Sequence, residues 1–319
     1  MFNEIYRGKK VLITGNTGFK GAWLTAWLLK LGADVVGVSK EIPTSPSMYE
    51  VLKLDSKIKH YMTDVRDLEA IQEIVLCEKP DFVFHLAAQA IVSDSLFDPV
   101  NTVSSNVLGT TTLLQVLREQ EHKIAAVIIT SDKCYENEEW VWGYRENDRM
   151  GGKDIYSASK GAAELIFNAF FKSILSAKAN IRVATARAGN VIGGGDWAKD
   201  RIVADSFVSW SGRNPVEIRS PQSTRPWQHV LEPIVGYLSL GMHLEKKPIA
   251  FSQAYNFGPQ SEDALSVEEM VKLAITSWGS GEYQIEQEAN QPHEAGLLKL
   301  DISKVKSELD WVPKMNANL

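Results

Sequence analysis

Cysteine is nearly absent. Two residues of 319, Cys77 and Cys134, exclude a disulfide-built scaffold and a cysteine-rich metal site, and no other metal-ligand spacing stands out. Positive charge is also in deficit, with 34 Lys and Arg against 40 Asp and Glu, so the chain carries no cationic footprint for nucleic acid or an anionic membrane. No apolar run approaches the roughly 18–20 residues of a membrane-spanning helix. The opening Met1-Phe2-Asn3-Glu4-Ile5 lacks the basic start and apolar core of an export signal. Internal repeats and low-complexity tracts are missing too. These absences leave a chain expected in the cytoplasm, long enough for one or two domains and for a large buried core.

What is present is an alternation of short apolar strands and amphipathic helices. Lys9–Thr14 reads as a buried strand and runs into Gly15-Asn16-Thr17-Gly18-Phe19-Lys20-Gly21, then into a helix with Trp23, Leu24, Trp27 and Leu28 inward. Gly15 permits a tight turn, Gly18 lets backbone approach a diphosphate, and Gly21 allows close packing of the helix, whose N-terminus offers free N–H donors. Thr17, Phe19 and Lys20 lie in the same candidate cofactor loop. A second strand, Asp34–Val38, ends at Ser39-Lys40-Glu41. Glu41 is the candidate acceptor for an adenosine ribose, which favours NAD. A solvated Lys40–Glu41 pair, or tolerance of NADP through Lys40, stays open.

Further strands are expected at Ile58–Met62, Asp81–Leu86, Ala125–Ile129 and Ile181–Ala186. The helix Leu68–Cys77 is expected to bury Leu68, Ile71, Ile74 and Val75, and a further helix spans Pro99–Arg118. His85 falls inside a strand and reads as structural. The small residues after Leu86 (Ala87, Ala88, Gln89) leave room for a cofactor. The fold class is therefore α/β: a doubly wound parallel sheet of Rossmann type with a smaller mixed α/β substrate lobe. After Arg187 the strand–helix rhythm breaks into a glycine-rich loop. That sets the expected organisation: 1–187, rejoined by part of 225–258, as the dinucleotide-binding domain, and 188–319 as the substrate lobe.

Thr130-Ser131-Asp132-Lys133 closes one buried strand, and Tyr156-Ser157-Ala158-Ser159-Lys160 opens a helix reaching about Lys172. Residues at i and i+4 share a helix face, so Tyr156 and Lys160 point the same way. A lysine cation beside a phenol, with a positive nicotinamide, stabilises the phenolate, and Tyr156 can then take a proton from a substrate hydroxyl while hydride leaves the same carbon. Asp132 and Lys133 add one acid and one base, which a dehydration next to a new carbonyl requires. Their simple pairing in a solvated turn is equally compatible with the residues alone.

The GxxGxxG loop followed by YxxxK resembles the short-chain dehydrogenase/reductases, in their extended, nucleotide-sugar-modifying branch. The runs Thr130–Asn137, Glu139–Glu146, Pro43–Ser47, Ala186–Trp197, Thr224–Pro233, Asn256–Pro259 and Gln291–Glu294 are similar to those of the CDP-glucose 4,6-dehydratase group of the NAD-dependent epimerase/dehydratase family. Lys133, where related dehydratases carry Glu, points to that group. The resemblance implies NAD as cofactor, with Asp64 and Val65 at the adenine, Thr130 near the cofactor and Lys160 on the nicotinamide ribose. It casts Ser131 as holding the sugar hydroxyl beside Tyr156, Asp132 as acid and Lys133 as base. Asn190, Arg201, Arg225 and His293 are implied for CDP-glucose or a related nucleotide sugar. Helices 99–118 and 156–172 are implied to pair in a homodimer. The resemblance departs at Ile91–Leu96, where the family carries a basic residue and an aromatic facing the sugar. Epimerisation, action on another nucleotide sugar, and a non-catalytic dinucleotide sensor are the competing functions. An epimerase needs no Asp–Lys pair, and a sensor needs neither Tyr156 nor Lys160.

Overall fold

Aliphatic runs too short for helices, each bounded by polar or glycine-containing turns, build the centre of the protein. In the computed structural model, residues 2–285 and 296–316 are described. Seven strands form one sheet: β1 Lys10–Thr14, β2 Asp34–Ser39, β3 Lys59–Met62, β4 Phe82–His85, β5 Ile124–Ile129, β6 Ile181–Ala188 and β7 Ala254–Phe257. All neighbours are parallel, in the order β7-β6-β5-β4-β1-β2-β3. Chain direction across the sheet reverses between β1 and β4, so their C-terminal ends flank the crevice in which such sheets bind ligands.

Both sheet faces are covered, which is why the strands read as continuous apolar runs. One face packs α1 (Phe19–Lys30) and a later helix, Leu231–Lys246, through Leu24, Leu28, Ile234, Tyr237 and Leu238. Of the four side chains expected inward on α1, Leu24 and Leu28 are buried, whereas Trp23 and Trp27 are half-buried. The other face packs α2 (Leu68–Glu78), α4 (Gly109–Arg118) and α5 (Ile155–Ser173) through Ile71, Val75, Leu113, Leu117 and Phe167. Between β4 and α4, a short helix α3 (Val92–Phe97) leads into Pro99–Val103 and a π-turn at Ser104–Leu108. The helix expected from Pro99 to Arg118 is thus interrupted. Leu68 corrects a second expectation: as the first residue of α2 it is 42% exposed, because it precedes the turn that packs on the sheet.

Beyond β6 a smaller cluster forms around Trp210, Val216, Ile218, Trp227, Met270 and Val271. It is carried by α6 (Ile202–Ser211), α8 (Val267–Trp278) and paired short strands, with α7 (Leu231–Lys246) and β7 returning the chain to the large sheet. Among the described residues the last helix, α9, is Ser303–Leu309.

Below the sheet, at the end remote from the crevice, Glu78 fastens three elements. Its carboxylate accepts from Lys10 Nζ at 3.0 Å, Lys59 Nζ at 2.5 Å and Tyr61 Oη at 2.6 Å, and its side chain is 4% exposed. Burial pushes this carboxyl up, but the hydrogen bonds from Lys59, Tyr61 and Lys10 outweigh it and hold the group at about 2, against an ordinary 4.5. A carboxyl lowered by folding stabilises the fold above its unfolded value and loses that contribution as pH falls towards the folded one. Glu78→Ala is therefore expected to cost about 1–3 kcal/mol at neutral pH. In chemical denaturation the gap to the parent protein should close between pH 4.5 and 2; a gap independent of pH would contradict it.

Candidate active site

β1 hands the chain to Gly15, whose φ of +74° disfavours any side chain and where a Cβ would meet the Ala87 amide at 2.6 Å. A Cβ on Gly21 would stand 2.0 Å from the Gly15 carbonyl, while one on Gly18 would meet only that carbonyl, at 3.5 Å. Bare backbone thus forms a cradle at the N-terminus of α1, where Phe19 and Lys20 are the first residues, and such a terminus accepts a diphosphate. Asn16 Nδ2 and Gln89 Oε1, on the two loops flanking the crevice, are buried with no hydrogen-bond partner. Cradle and orphaned polar atoms together fit a dinucleotide.

The expected adenosine-side residues divide. Thr17 Oγ1 donates to the Glu41 carbonyl at 2.7 Å, but the Glu41 carboxylate is exposed and paired with Lys40 at 3.3 Å. Asp64 is turned onto Arg66 at 2.5 Å, which holds its carboxyl below the usual range, and Val65 is packed in the core against Gly109. Leu86, Ala87, Ala88 and Gln89 line the end of β4, half-buried. His85 bonds Thr14 at 2.7 Å, and burial and the nearby Lys160 push it down to about 3, so it is a neutral framework residue.

At the end of β5, Ser131 starts a tight turn over Asp132–Cys134. Its hydroxyl accepts from the Lys133 amide at 3.2 Å and donates to Asp132 Oδ1 at 2.9 Å. Facing it, α5 begins at an Asp154 cap, which accepts from the Ser157 amide at 2.9 Å. Tyr156 and Lys160 lie one turn apart on its inward face, with Lys160 Nζ 6.0 Å from the centre of the Tyr156 ring. The two halves touch because Gly161 has no side chain: a Cβ there would stand 3.1 Å from the Cys134 carbonyl and 2.9 Å from that of Gly151.

Burial sets the charge state of these groups. It raises the Asp132 carboxyl, against the pull of Lys133, Ser131 and Arg225, and Asp132 Oδ2 is left without a partner. It raises the Tyr156 phenol, with Ser131 and Arg201 pulling the other way. It lowers Lys160 to about 8, opposed by Cys134 and Glu164. Lys20 falls to about 7 through burial and the charges of Lys160 and Arg201. Each shift disfavours the charged form of its group: the two lysines are brought close to neutral pH, whereas the Tyr156 phenol moves further from it.

Asn190, Arg201 and Arg225 line one cavity of about 1270 Å³ between the glycine loop, α6 and α8. It adjoins the acid: a Cβ on Gly189 would stand 3.2 Å from Asp132 Oδ2. His293 lies outside the described residues. Gly193–Gly195 is tied to the cofactor side, since Trp23 Nε1 donates to the Gly194 carbonyl at 2.9 Å and Gly195 rests on Met48. In the loop where the resemblance departs, Ser93 donates to Asp200 at 2.5 Å, Asp94 pairs with Lys199 at 2.8 Å, and Leu96 is exposed. Its polar residues are engaged by the 199–200 stretch, and neither a cation nor an aromatic stands in it.

Sequence reasoning missed Glu164, Arg187 and the contacts of Asn106. Asn106 sits in the π-turn and bonds Ser159 at 2.8 Å, with reciprocal bonds to the Gln89 backbone. Glu164 takes the hydroxyl proton of Thr130 at 2.5 Å, so that side chain also ties the strand end to α5. The available signal was spacing: Tyr156, Lys160 and Glu164 form one i, i+4, i+8 stripe. Among the described residues no group of His, Cys, Asp and Glu could hold a metal ion, and no helix is long and apolar enough to cross a membrane.

A lysine lowered by burial opposes folding at every pH below its folded value, and the opposition vanishes as pH rises to the unfolded one. Lys160→Met is thus expected to stabilise the protein at pH 7 by on the order of 2–3 kcal/mol. Thermal unfolding should show that advantage shrinking between pH 8 and 10.5. A variant less stable than the parent at pH 7 would refute the buried-cation account.

Residues 12–318 match the family described as GDP-mannose 4,6 dehydratase. The chain is 46% identical over 315 residues to a CDP-glucose 4,6-dehydratase of Salmonella typhimurium, covering 98% of this chain and 88% of that protein. Among solved structures, UDP-glucuronic acid 4-epimerase of Bacillus cereus, in complex with UDP-glucuronic acid and NAD, superposes with a TM-score of 0.82 at 22% identity, over 97% of this chain and 95% of that one. A dTDP-glucose 4,6-dehydratase of Bacillus anthracis in complex with NAD gives 0.80 at 19%, over 98% and 93%. The parallel sheet agrees with the fold of these structures, and the chain belongs to the GDP-mannose 4,6 dehydratase family, with the fold of the extended short-chain dehydrogenase/reductases.

Proposed function

We infer that the protein is an NAD-dependent lyase that converts CDP-glucose to CDP-4-keto-6-deoxyglucose. The observation that carries this reading is a buried carboxyl of raised pKa, Asp132, with one oxygen free, beside a Tyr–Lys helix and ahead of Lys133. The CDP preference is supported by the 46% identity to a CDP-glucose 4,6-dehydratase.

Bound NAD supplies the acceptor that takes hydride from C4 of the hexose and returns it to C6. Gly15, Thr17, Gly18, Phe19, Lys20 and Gly21 cradle the diphosphate of that cofactor, and Leu86–Gln89 border it. Ser131 holds the C4 hydroxyl and Tyr156 takes its proton, with Lys160 beside the phenol stabilising the phenolate. The C5 proton is then acidic because it lies next to the C4 carbonyl. Lys133 removes it, Asp132 protonates the departing C6 hydroxyl, and one water leaves. A proton is returned to C5 as C6 is reduced, so the net change is loss of one water. Arg225 and Arg201 neutralise the substrate diphosphate and Asn190 orients the sugar. The lobes divide as 1–187 with part of 225–258 for the cofactor, and 188–319 for the substrate. A cytoplasmic setting is consistent with two unpaired cysteines.

Incubation with CDP-, UDP-, dTDP- and GDP-hexoses, with products read by mass, tests this directly. CDP-glucose should yield the 4-keto-6-deoxy sugar, and deuterium placed at C4 should arrive at C6. Asp132→Asn and Lys133→Ala should each slow water loss by about 100-fold or more while cofactor binding is retained. Full turnover in both variants would remove the assigned roles, and product from another nucleotide alone would remove the CDP assignment.

The protein is further read as a homodimer through the helices 99–118 and 155–173. Phe97, Val100, Val103, Leu108 and Leu165 are exposed apolar side chains along that face, the kind of patch that marks an interface. A Leu108→Lys, Leu165→Lys double variant is expected to sediment as a monomer where the parent sediments as a dimer. A monomeric parent would end this reading.

A further inference from the structure

Glu164 lies two turns beyond Tyr156 on the inward face of α5 and is fully buried. Its two carboxylate oxygens are shared out between two strands. Oε1 accepts from Thr130 Oγ1 at 2.5 Å, at the end of β5; Oε2 accepts from Thr185 Oγ1 at 3.0 Å and Arg187 Nη2 at 2.9 Å, both on β6. Arg187 is buried in turn, donating to Tyr135 Oη at 2.7 Å and to the Glu146 carbonyl at 3.0 Å, and Tyr135 Oη donates to Asn256 on β7 at 2.7 Å. Burial pushes the Glu164 carboxyl up, yet Arg187 and the two threonines outweigh it and keep it ionised.

The proton carriers of the site sit on two separate pieces of chain. Tyr156 and Lys160 belong to α5, whereas Ser131, Asp132 and Lys133 follow β5. Thr130 is the residue immediately before Ser131, and its amide is held by the Ala186 carbonyl at 2.9 Å. A single carboxylate on the helix therefore grips the chain one residue upstream of Ser131, and two upstream of the acid Asp132. We propose that Glu164, through Thr130, is a positioning residue that fixes the register between the proton-abstracting half of the site (Tyr156, Lys160) and the water-eliminating half (Ser131, Asp132, Lys133). Thr185 and Arg187 hold the same carboxylate from the far side and serve as its anchor.

The kinetic part of this proposal rests on the dehydratase reading; the structural part does not. Glu164→Gln leaves Arg187 buried without its counter-charge and is a poor probe, so the threonines are the better one. Thr130→Val removes the grip on the catalytic strand, Thr130→Ser restores it, and Thr185→Val removes a bond from the same carboxylate away from that strand. Amide hydrogen exchange in residues 131–134 of the protein without added ligand should quicken in Thr130→Val, return in Thr130→Ser and stay at the parent rate in Thr185→Val. Turnover of CDP-glucose should fall about tenfold in Thr130→Val, the size expected for one lost buried hydrogen bond. The isotope effect of deuterium at C5 should grow relative to that at C4 in Thr130→Val alone, because only the eliminating half has shifted. Equal changes in exchange and isotope ratio for Thr130→Val and Thr185→Val, or none in either, would overturn the proposal. The exchange result needs no turnover, so it decides the positioning role even if CDP-glucose is not the substrate.

Discussion

Glu164 and Arg187 form an ion pair with almost no exposure, 0% and 1%, at the point where α5 crosses the ends of β5 and β6. Such a pair is not a source of net stability by itself, since desolvation offsets most of its attraction. Its consequence is that neither member can leave: removing one partner typically costs about 3–5 kcal/mol by stranding the other charge. Apart from Arg187 Nε, which has no partner among the described residues, the remaining hydrogen bonds of the pair go to residues bordering the active site: Thr130, Thr185, Tyr135 and the Glu146 backbone. The close contact of α5 with the Asp132–Cys134 turn, which Gly161 makes possible, is thus held in one register by geometry and charge together.

That register places ionisable groups in a poorly solvated corner, and desolvation then does the chemical tuning. An acid is raised, a lysine is lowered to about 8, and a phenol is kept protonated until a cation approaches. The three shifts have one cause but serve different tasks: Asp132 keeps a proton to give, while Lys160 stands ready as the local cation. From the cavity wall, Arg225 pulls on Asp132 and Arg201 on Tyr156. A bound diphosphate would neutralise those arginines and so alter the field at Tyr156 and Asp132. Substrate binding and proton chemistry are in this sense electrostatically linked.

Much of this was legible from the residues. Buried parallel strands announce themselves as unbroken aliphatic runs, so six strands of the sheet and the glycine cradle could be read in order. β7 was legible only as a returning segment, because pairing Ala254–Phe257 with β6 is a long-range event with no local signature. The i, i+4 rule found Tyr156 and Lys160 but was stopped one step short of Glu164, since a glutamate on a helix reads as solvated until its partner is known. Arg187 was invisible for the same reason. Leu68 and the helix 99–118 show the opposite limit: apolar periodicity marks a helix but fixes neither which end residue is packed nor where a π-turn interrupts it.

The contacts between the lobes give the departing loop at Ile91–Leu96 a physical sense. Trp23 holds the Gly194 carbonyl on one side of the glycine loop, and Ser93 and Asp94 hold Asp200 and Lys199 on the other. Both attachments lie on the stretch that leads to Arg201, a cavity-lining residue whose charge reaches Tyr156 and Lys20. Exposed pairs of this kind contribute on the order of 0–1 kcal/mol each. They are too weak to lock the stretch, yet enough to bias where it rests. Ser93 and Asp94 are engaged by Asp200 and Lys199. The contacts of the loop therefore bear on the position of Arg201, on the same cavity that Asn190 and Arg225 line.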